Sequence, residues 1–332
     1  MIIVTGGAGF IGSALVWRLN QLGIDGILVV DHLGNGEKWK NLVPLRFRDY
    51  LEKDEFLRHI CNGSPSNLQG KDKRKIDTLV HLGACSSTTE QDASYLVKNN
   101  FEYSKQLARF ALENGIRFIY ASSAATYGDG GNGFSDDEGD LSRLRPLNMY
   151  GYSKHLFDLW ARSNGLANRV VGLKYFNVFG PNEYHKGEMR SLLAKAHEEI
   201  VSTGKLRLFR SHRGDYGDGE QKRDFLYVKD AVEMTLHFIE NRLIKGIFNI
   251  GSGEACTWNR VASAIFSAMG VPQRIKYMDI PETIREKYQY YTRADMSKLQ
   301  SAGYTKSLIP LDDAVRDYVT NYLTTQKRLG EE

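Results

Sequence analysis

Cysteine is scarce in this chain: three residues among 332, at Cys61, Cys85 and Cys256. That is too few and too scattered for a disulfide framework or a zinc site, so no metal is expected. Long apolar runs are absent, so no membrane span is expected. The first strand-like run starts at Ile2, and the expectation is a cytoplasmic protein without a signal peptide. Charge of one sign is lacking too, with 44 Lys and Arg against 40 Asp and Glu, a net +4. The densest cationic run, Lys71 to Lys75, adjoins the loop-like stretch Asn62 to Ser66. It reads as a solvated surface loop rather than a nucleic-acid patch, and a small anionic substrate suits the balance better. Internal repeats and low-complexity tails are also missing. What remains is an ordinary soluble composition, 42% hydrophobic and 25% charged, on a chain long enough for two lobes.

The informative stretch is the first thirty-one residues. Ile2 to Thr5 has the composition of a buried parallel strand, and Gly6-Gly7-Ala8-Gly9-Phe10-Ile11-Gly12 follows at once. Ser13 to Leu22 reads as a helix ended by Gly23, and Ile27 to Val30 as a second strand with Asp31 at its carboxyl end. Glycines let backbone N–H groups approach a diphosphate, the helix N-terminus faces that anion, and an acid about 20 residues on binds the adenosine ribose. Strand, turn, helix, strand and acid together predict a dinucleotide site at Gly6, Gly9, Gly12 and Asp31.

Further strands are expected at Ile76 to Leu82, Ile116 to Ala121 and Arg169 to Tyr175, and helices at Asp49 to Cys61, Asp92 to Asn114 and Met149 to Asn164, the last capped by Asn148. Gly83-Ala84-Cys85-Ser86 after a strand offers small residues for a cofactor to lie against, Cys85 being a small buried residue there rather than a nucleophile. Gly128 to Gly133 reads as a mobile tract and Phe134 to Arg145 as an acidic loop. The alternation gives the fold class: α/β, a doubly wound parallel sheet (Rossmann) with a smaller α/β substrate lobe. The expected division is 1–176 plus about 224–255 for the dinucleotide domain, and about 177–223 plus 256–330 for the lobe. Within it, Gly246 to Ile250 returns to the main sheet.

Tyr150 and Lys154 lie four apart on a predicted helix and so share a face. An ammonium there would favour the phenolate of a group that otherwise titrates near 10. Tyr150 can then take a proton from a substrate alcohol while hydride leaves the same carbon. Ser123, at a strand end, can bind the oxygen being oxidised or reduced.

The order T-G-G-A-G-F-I-G, A-S-S-A-A-T-Y-G, Y-G-Y-S-K and R-D-F-x-Y-V resembles the extended short-chain dehydrogenase/reductase superfamily. Gly83 to Thr89, Tyr175-Phe176-Asn177-Val178-Phe179-Gly180-Pro181 and His185-Lys186-Gly187 resemble, more closely, the ADP-L-glycero-D-manno-heptose 6-epimerases. The resemblance covers nearly the whole chain. It implies inversion of C6 of an ADP-heptose for lipopolysaccharide core assembly, through a 6-keto sugar and transient reduction of bound NADP. It makes Tyr150 and Lys186 the two acid/base groups, one for each orientation of the sugar. Phe10, Ile11, Asp31, His32, Lys38, Lys53, Leu82, Gly83, Ala84, Cys85, Ser86, Asn99, Lys154, Val178 and Lys186 would surround the cofactor. Lys38 and Lys53 would meet a 2′-phosphate that Asp31 alone would repel, while Asp31 also leaves NAD open. Asn177, Phe209, Arg210, Ser211, His212, Arg223 and Tyr288 would hold the ADP-sugar, with Arg223 at the diphosphate or, alternatively, paired to Asp224 or Asp230. The family also forms closed homo-oligomers, so a ring, such as a pentamer, or a dimer is expected.

The chain departs from that pattern at three places: Glu188 replaces a serine, Lys195 a histidine and Lys174 an arginine. Glu188 and Lys195 would form a new ion pair or alter contacts to the sugar. Two other readings compete. A 4-epimerase of the same fold would not need Lys186, and a 4,6-dehydratase would carry acids where Ala124-Ala125 stand. A non-catalytic dinucleotide-sensing module could dispense with Tyr150 and Lys154.

Overall fold

The computed structural model describes residues 1–61, 68, 75–285 and 288–331. Apart from Lys75, the cationic run and the loop-like stretch before it lie outside the described residues. The strands are β1 (Ile2–Thr5), β2 (Ile27–Asp31), β3 (Asp49–Glu52), β4 (Thr78–His81), β5 (Arg117–Ser123), β6 (Val171–Tyr175) and β7 (Asn177–Phe179). After these come β8 (Leu206–Phe209), β9 (Lys222–Arg223), β10 (Phe225–Tyr227), β11 (Gly246–Ile250), β12 (Cys256–Thr257) and β13 (Ile275–Met278).

Seven strands build one sheet in the order β11-β6-β5-β4-β1-β2-β3, and its pairings are parallel. Strand residues alternate between two cores. Ile2, Val4, Ile27 and Val29 pack with Leu15 and Leu19 of the helix Phe10–Gln21. Ile3, Leu28 and Val30 pack on the other face with Leu107, Phe110 and Ala111 of the helix Tyr103–Glu113. Apolar side chains on both faces of a parallel sheet require helices on both faces, which is the doubly wound arrangement predicted. The strand order reverses between β1 and β4, and a ligand crevice belongs at such a switch point.

Three expectations are corrected. Asp49 to Cys61 is not one helix, because Asp49–Glu52 pairs with β2 and the helix begins at Lys53. Edge pairing overrides helix propensity here, and the Tyr50 hydroxyl donates to the Asp31 carbonyl at 3.1 Å. The helix from Ala93 to Glu113 is interrupted by a π-turn at Val97–Glu102, which brings the buried Asn100 inward. Phe134 to Arg145 is not a free acidic loop. It contains a 3₁₀ segment, Glu138–Arg143, and docks on β11. Asp136 accepts from Asn249 N at 2.8 Å and Glu138 from Ile247 N at 2.8 Å, satisfying the N–H groups of an edge strand.

The helix Met149–Ser163 starts at Asn148, whose side chain accepts from Gly151 N. A buried polar cluster fixes it to the sheet. Asp158 accepts from Tyr120 OH at 2.9 Å, Ser122 Oγ at 2.7 Å and Lys174 Nζ at 2.9 Å. Lys174, which stands where an arginine is expected, also donates to Thr126 Oγ1 at 2.6 Å, and both charges are fully buried. Removing one partner of such a pair costs far more than replacing both. Lys174→Met is therefore expected to lower unfolding free energy by about 3–5 kcal/mol, with most of it restored in Lys174→Met/Asp158→Asn. Urea denaturation measures this; a single-variant loss under about 1 kcal/mol would contradict the assigned role of the pair.

Candidate active site

The turn after β1 is forced by close backbone contact. Gly6 has φ of 71°, and a Cβ on it would lie 2.6 Å from Gly83 N. A Cβ on Gly12 would lie 2.0 Å from the Gly6 carbonyl oxygen, so only glycine allows the helix to start this close to the strand. The N-cap residue Gly9 offers no side chain to the first N–H groups, leaving that end available to an anion. At the neighbouring strand end, Asp31 Oδ2 accepts from Ala8 N at 2.9 Å and Oδ1 from Lys38 Nζ at 2.6 Å. His32 is exposed and its ring lies 3.2 Å from Glu52 Oε2. Lys53 Nζ donates to Asn99 Oδ1 at 2.5 Å.

A cleft of about 1210 Å³ opens beside this turn. Its wall includes Phe10, Ile11, Leu82, Ala84, Ser86, Ser123, Tyr150, Lys154, Asn177, Val178, Lys186, Glu188, Lys195, Phe209, Arg223 and Tyr288. So a large share of the residues singled out from the sequence meet in one cavity. Gly83 and Cys85 lie behind it: Gly83 packs against Gly6, and the Cys85 main chain bonds Asn100. Arg210, Ser211 and His212 are turned to neighbours outside it. Arg210 lies 3.9 Å from Asp218, Ser211 N donates to Asp218 at 2.9 Å, and His212 Nε2 accepts from Ile280 N at 3.1 Å.

Lys154 Nζ donates to the Ala121 carbonyl at 2.8 Å, tying the helix to the strand that carries Ser123, and burial pushes its ammonium down to about 8. Burial raises the Tyr150 phenol, and hydrogen bonding with Ser123 works against that. Burial is the largest influence on the phenol, and Lys154 is not among the groups that shift it. Lys186 Nζ sits 5.2 Å from the Phe10 ring centre, and burial lowers its pKa. Glu188 and Lys195 do not form the ion pair considered above. Lys195 Nζ donates to the main-chain carbonyl of Glu188 at 3.1 Å.

Arg223 makes no ion pair with Asp224 or Asp230. Asp224 is committed to Ser252, Gly253 and Ala294. The guanidinium donates to the Lys222 and Gln289 carbonyls and lies 5.7 Å from the Trp258 ring and 5.3 Å from the Tyr288 ring. Burial lowers its pKa. A buried cation bordered by aromatic faces and carbonyls is suited to a phosphate.

Sequence reasoning missed Trp258, Gln289, Asn100 and Glu183. Asn100 Nδ2 donates to the Cys85 carbonyl at 2.9 Å and to Ser153 Oγ at 2.9 Å, joining the Gly83 loop to the helix of Tyr150. A buried asparagine inside a helix stands out only once the π-turn is seen.

The family model described as the NAD dependent epimerase/dehydratase family matches residues 2–251. The chain belongs to this family. Among family members, it is 53% identical to the ADP-L-glycero-D-manno-heptose-6-epimerase of Nitratidesulfovibrio vulgaris, over 97% of this chain and 98% of that one. It is 43% identical to the Fusobacterium nucleatum protein of the same name, over 98% and 99%. The crystal structure of the Helicobacter pylori ADP-L-glycero-D-manno-heptose-6-epimerase superposes with a TM-score of 0.76 at 26% identity, covering 96% and 95%. The Thermotoga maritima UDP-glucose 4-epimerase, solved with UDP-glucose, gives 0.76 at 25%, covering 98% and 99%. The Rossmann-like sheet, the nicotinamide dinucleotide cofactor and the enzyme class of this epimerase family member agree with the expectations from the sequence. Among the described residues no helix is long and apolar enough to cross a membrane.

The Gly6–Gly12 contact sets a direct test. Gly12→Ala is expected to weaken nicotinamide dinucleotide binding by about tenfold or more, an energy near 1.4 kcal/mol, as read by calorimetric titration. Unchanged affinity would mean that the turn does not hold the diphosphate.

Proposed function

We propose that this epimerase acts on an ADP-heptose, inverting C6 of ADP-D-glycero-D-manno-heptose to give the L-glycero epimer for the lipopolysaccharide inner core. The observation that carries this is the meeting of Tyr150, Lys154, Ser123 and Lys186 on one cleft that Arg223 also lines. A plain dehydrogenase needs one proton carrier; an enzyme that handles its sugar in two opposed orientations uses two.

The residues present fit a dinucleotide: a side chain on Gly6 or Gly12 would fill the cradle, and Asp31 stands at the end of β2 where a ribose is held. Gly6, Gly9, Phe10, Ile11, Gly12, Leu82 to Ser86 and Val178 would hold it. When bound, it supplies a reversible hydride acceptor for C6. We assign NADP in preference to NAD because Lys38 pairs with Asp31 and so offsets the carboxylate that would repel a 2′-phosphate, with Lys53 as a second cation.

The chain's own residues manage the proton on O6 and the placement of the sugar. Ser123 binds O6 while the Tyr150 phenol exchanges its proton, and Lys154 keeps the helix of Tyr150 against β5. In the opposed orientation of the 6-keto sugar, the Lys186 amine exchanges the proton instead. Arg223, Trp258, Tyr288 and Phe209 hold the ADP end, with Asn177, Glu188 and Lys195 toward the sugar.

Turnover of ADP-D-glycero-D-manno-heptose in heavy water is expected to yield inverted C6 without solvent deuterium at that carbon. Deuterium there would replace hydride return by proton exchange at carbon. Tyr150→Phe and Lys186→Met are each expected to lower kcat by roughly 10²–10⁴ with cofactor still bound. Wild-type kcat in Lys186→Met, or turnover of UDP-glucose instead, would leave a one-carrier 4-epimerase as the better description.

A further inference from the structure

We propose that Glu183 is the positioning residue for the second proton carrier: its buried carboxylate fixes the turn that presents Lys186 and supplies the negative charge that Lys186 faces. The proposal rests on the reading of Lys186 as a proton carrier.

Glu183 is 0% exposed, three residues before Lys186. Its carboxylate accepts from Ser191 N at 2.5 Å, Ser191 Oγ at 2.6 Å, Tyr318 OH at 2.9 Å and Gly180 N at 3.4 Å. Its carbonyl accepts from Lys186 N at 3.0 Å, closing the turn, and Gly187 reverses the chain with φ of 53°. One side chain therefore clamps the entry of this loop, its exit at Ser191 and the C-terminal segment at Tyr318. Tyr184 adds to the clasp, its hydroxyl donating to the Tyr322 carbonyl at 2.9 Å and the Lys327 carbonyl at 3.0 Å.

The partners of the carboxylate are neutral donors. A buried carboxylate held by neutral donors keeps its charge at a high desolvation cost, which a nearby cation reduces. Two cations are in range. Arg190 is bonded to Glu198 through both terminal nitrogens, so its charge is already matched. Lys186 forms no ion pair among the described residues. Burial drives its ammonium toward the neutral amine, and Glu183 is the charge acting against that. The other titratable groups around the turn include one further carboxylate, Glu188, two residues after Lys186 and lining the same cleft. Burial pushes His185 down to about 4, the phenols of Tyr184 and Tyr318 are raised, and Asp31 is paired with Lys38. Glu183 therefore opposes the loss of the Lys186 proton that burial favours, without the tight pairing that would hold the amine away from a substrate oxygen.

The test is competitive labelling of the full-length enzyme with acetic anhydride across a pH series, comparing Lys186 with the exposed Lys276 by mass spectrometry. Removing the charge in Glu183→Gln is expected to lower the Lys186 midpoint by about one pH unit, tenfold in protonation. The limb of the kcat profile that Lys186 sets should move down with it. A wild-type midpoint with higher reactivity at every pH would show a structural clamp only and overturn the proposal. Glu183→Asp keeps the charge on a shorter arm, so severalfold lower kcat with the wild-type midpoint is expected. If the glutamine variant does not fold, wild-type kcat in the aspartate variant overturns the positioning role by itself. Wild-type kcat in Lys186→Met would instead remove the reading on which the proposal stands.

Discussion

The site depends on three backbones touching at Gly6. Its own Cβ position is blocked by Gly83, and its carbonyl occupies the space that a side chain on Gly12 would need. Strand β1, the helix Phe10–Gln21 and the end of β4 are thus locked at distances no other residue type permits. The consequence is a helix N-terminus without a side-chain cap, facing the crevice where the strand order reverses. Two functional groups are arranged relative to that point: Asp31 by its bond to Ala8 N, and Lys186 by its approach to the Phe10 ring.

The second organising device is buried polarity. Asp158 and Lys174 attach the helix of Tyr150 and Lys154 to β5 and β6, and Asn100 attaches the same helix to the Gly83 loop through Ser153. Lys154 adds a third tie through the Ala121 carbonyl. Such networks are directional, so they fix the rotation of the helix about its axis more closely than apolar packing does. For Tyr150 that rotation decides whether the phenol meets the cleft.

The sequence conveyed what is local. The Gly-rich turn, the period of the strands and the Asn148 cap each lie within a few residues, and they led to the right sheet and to residues that meet in one cleft. What it could not convey is set by contacts distant along the chain. Asp49 to Glu52 became a strand because β2 offered an edge, and Asp136 and Glu138 docked because β11 exposed N–H groups. Arg223 illustrates the limit in the site. Its nearest acids in sequence, Asp224 and Asp230, are consumed elsewhere, and its real neighbours Trp258, Tyr288 and Gln289 arrive from later elements.

The two proton carriers of the proposed mechanism are held in contrasting ways, and the contrast has chemical content. Tyr150 sits on a helix tied to the central sheet by a buried ion pair, with its acidity weakened by burial and restored in part through Ser123. Lys186 sits on a tight turn clasped by the C-terminal segment, with its basicity weakened by burial and restored in part through Glu183. Burial thus moves a phenol up and an ammonium down, and one local partner limits each shift.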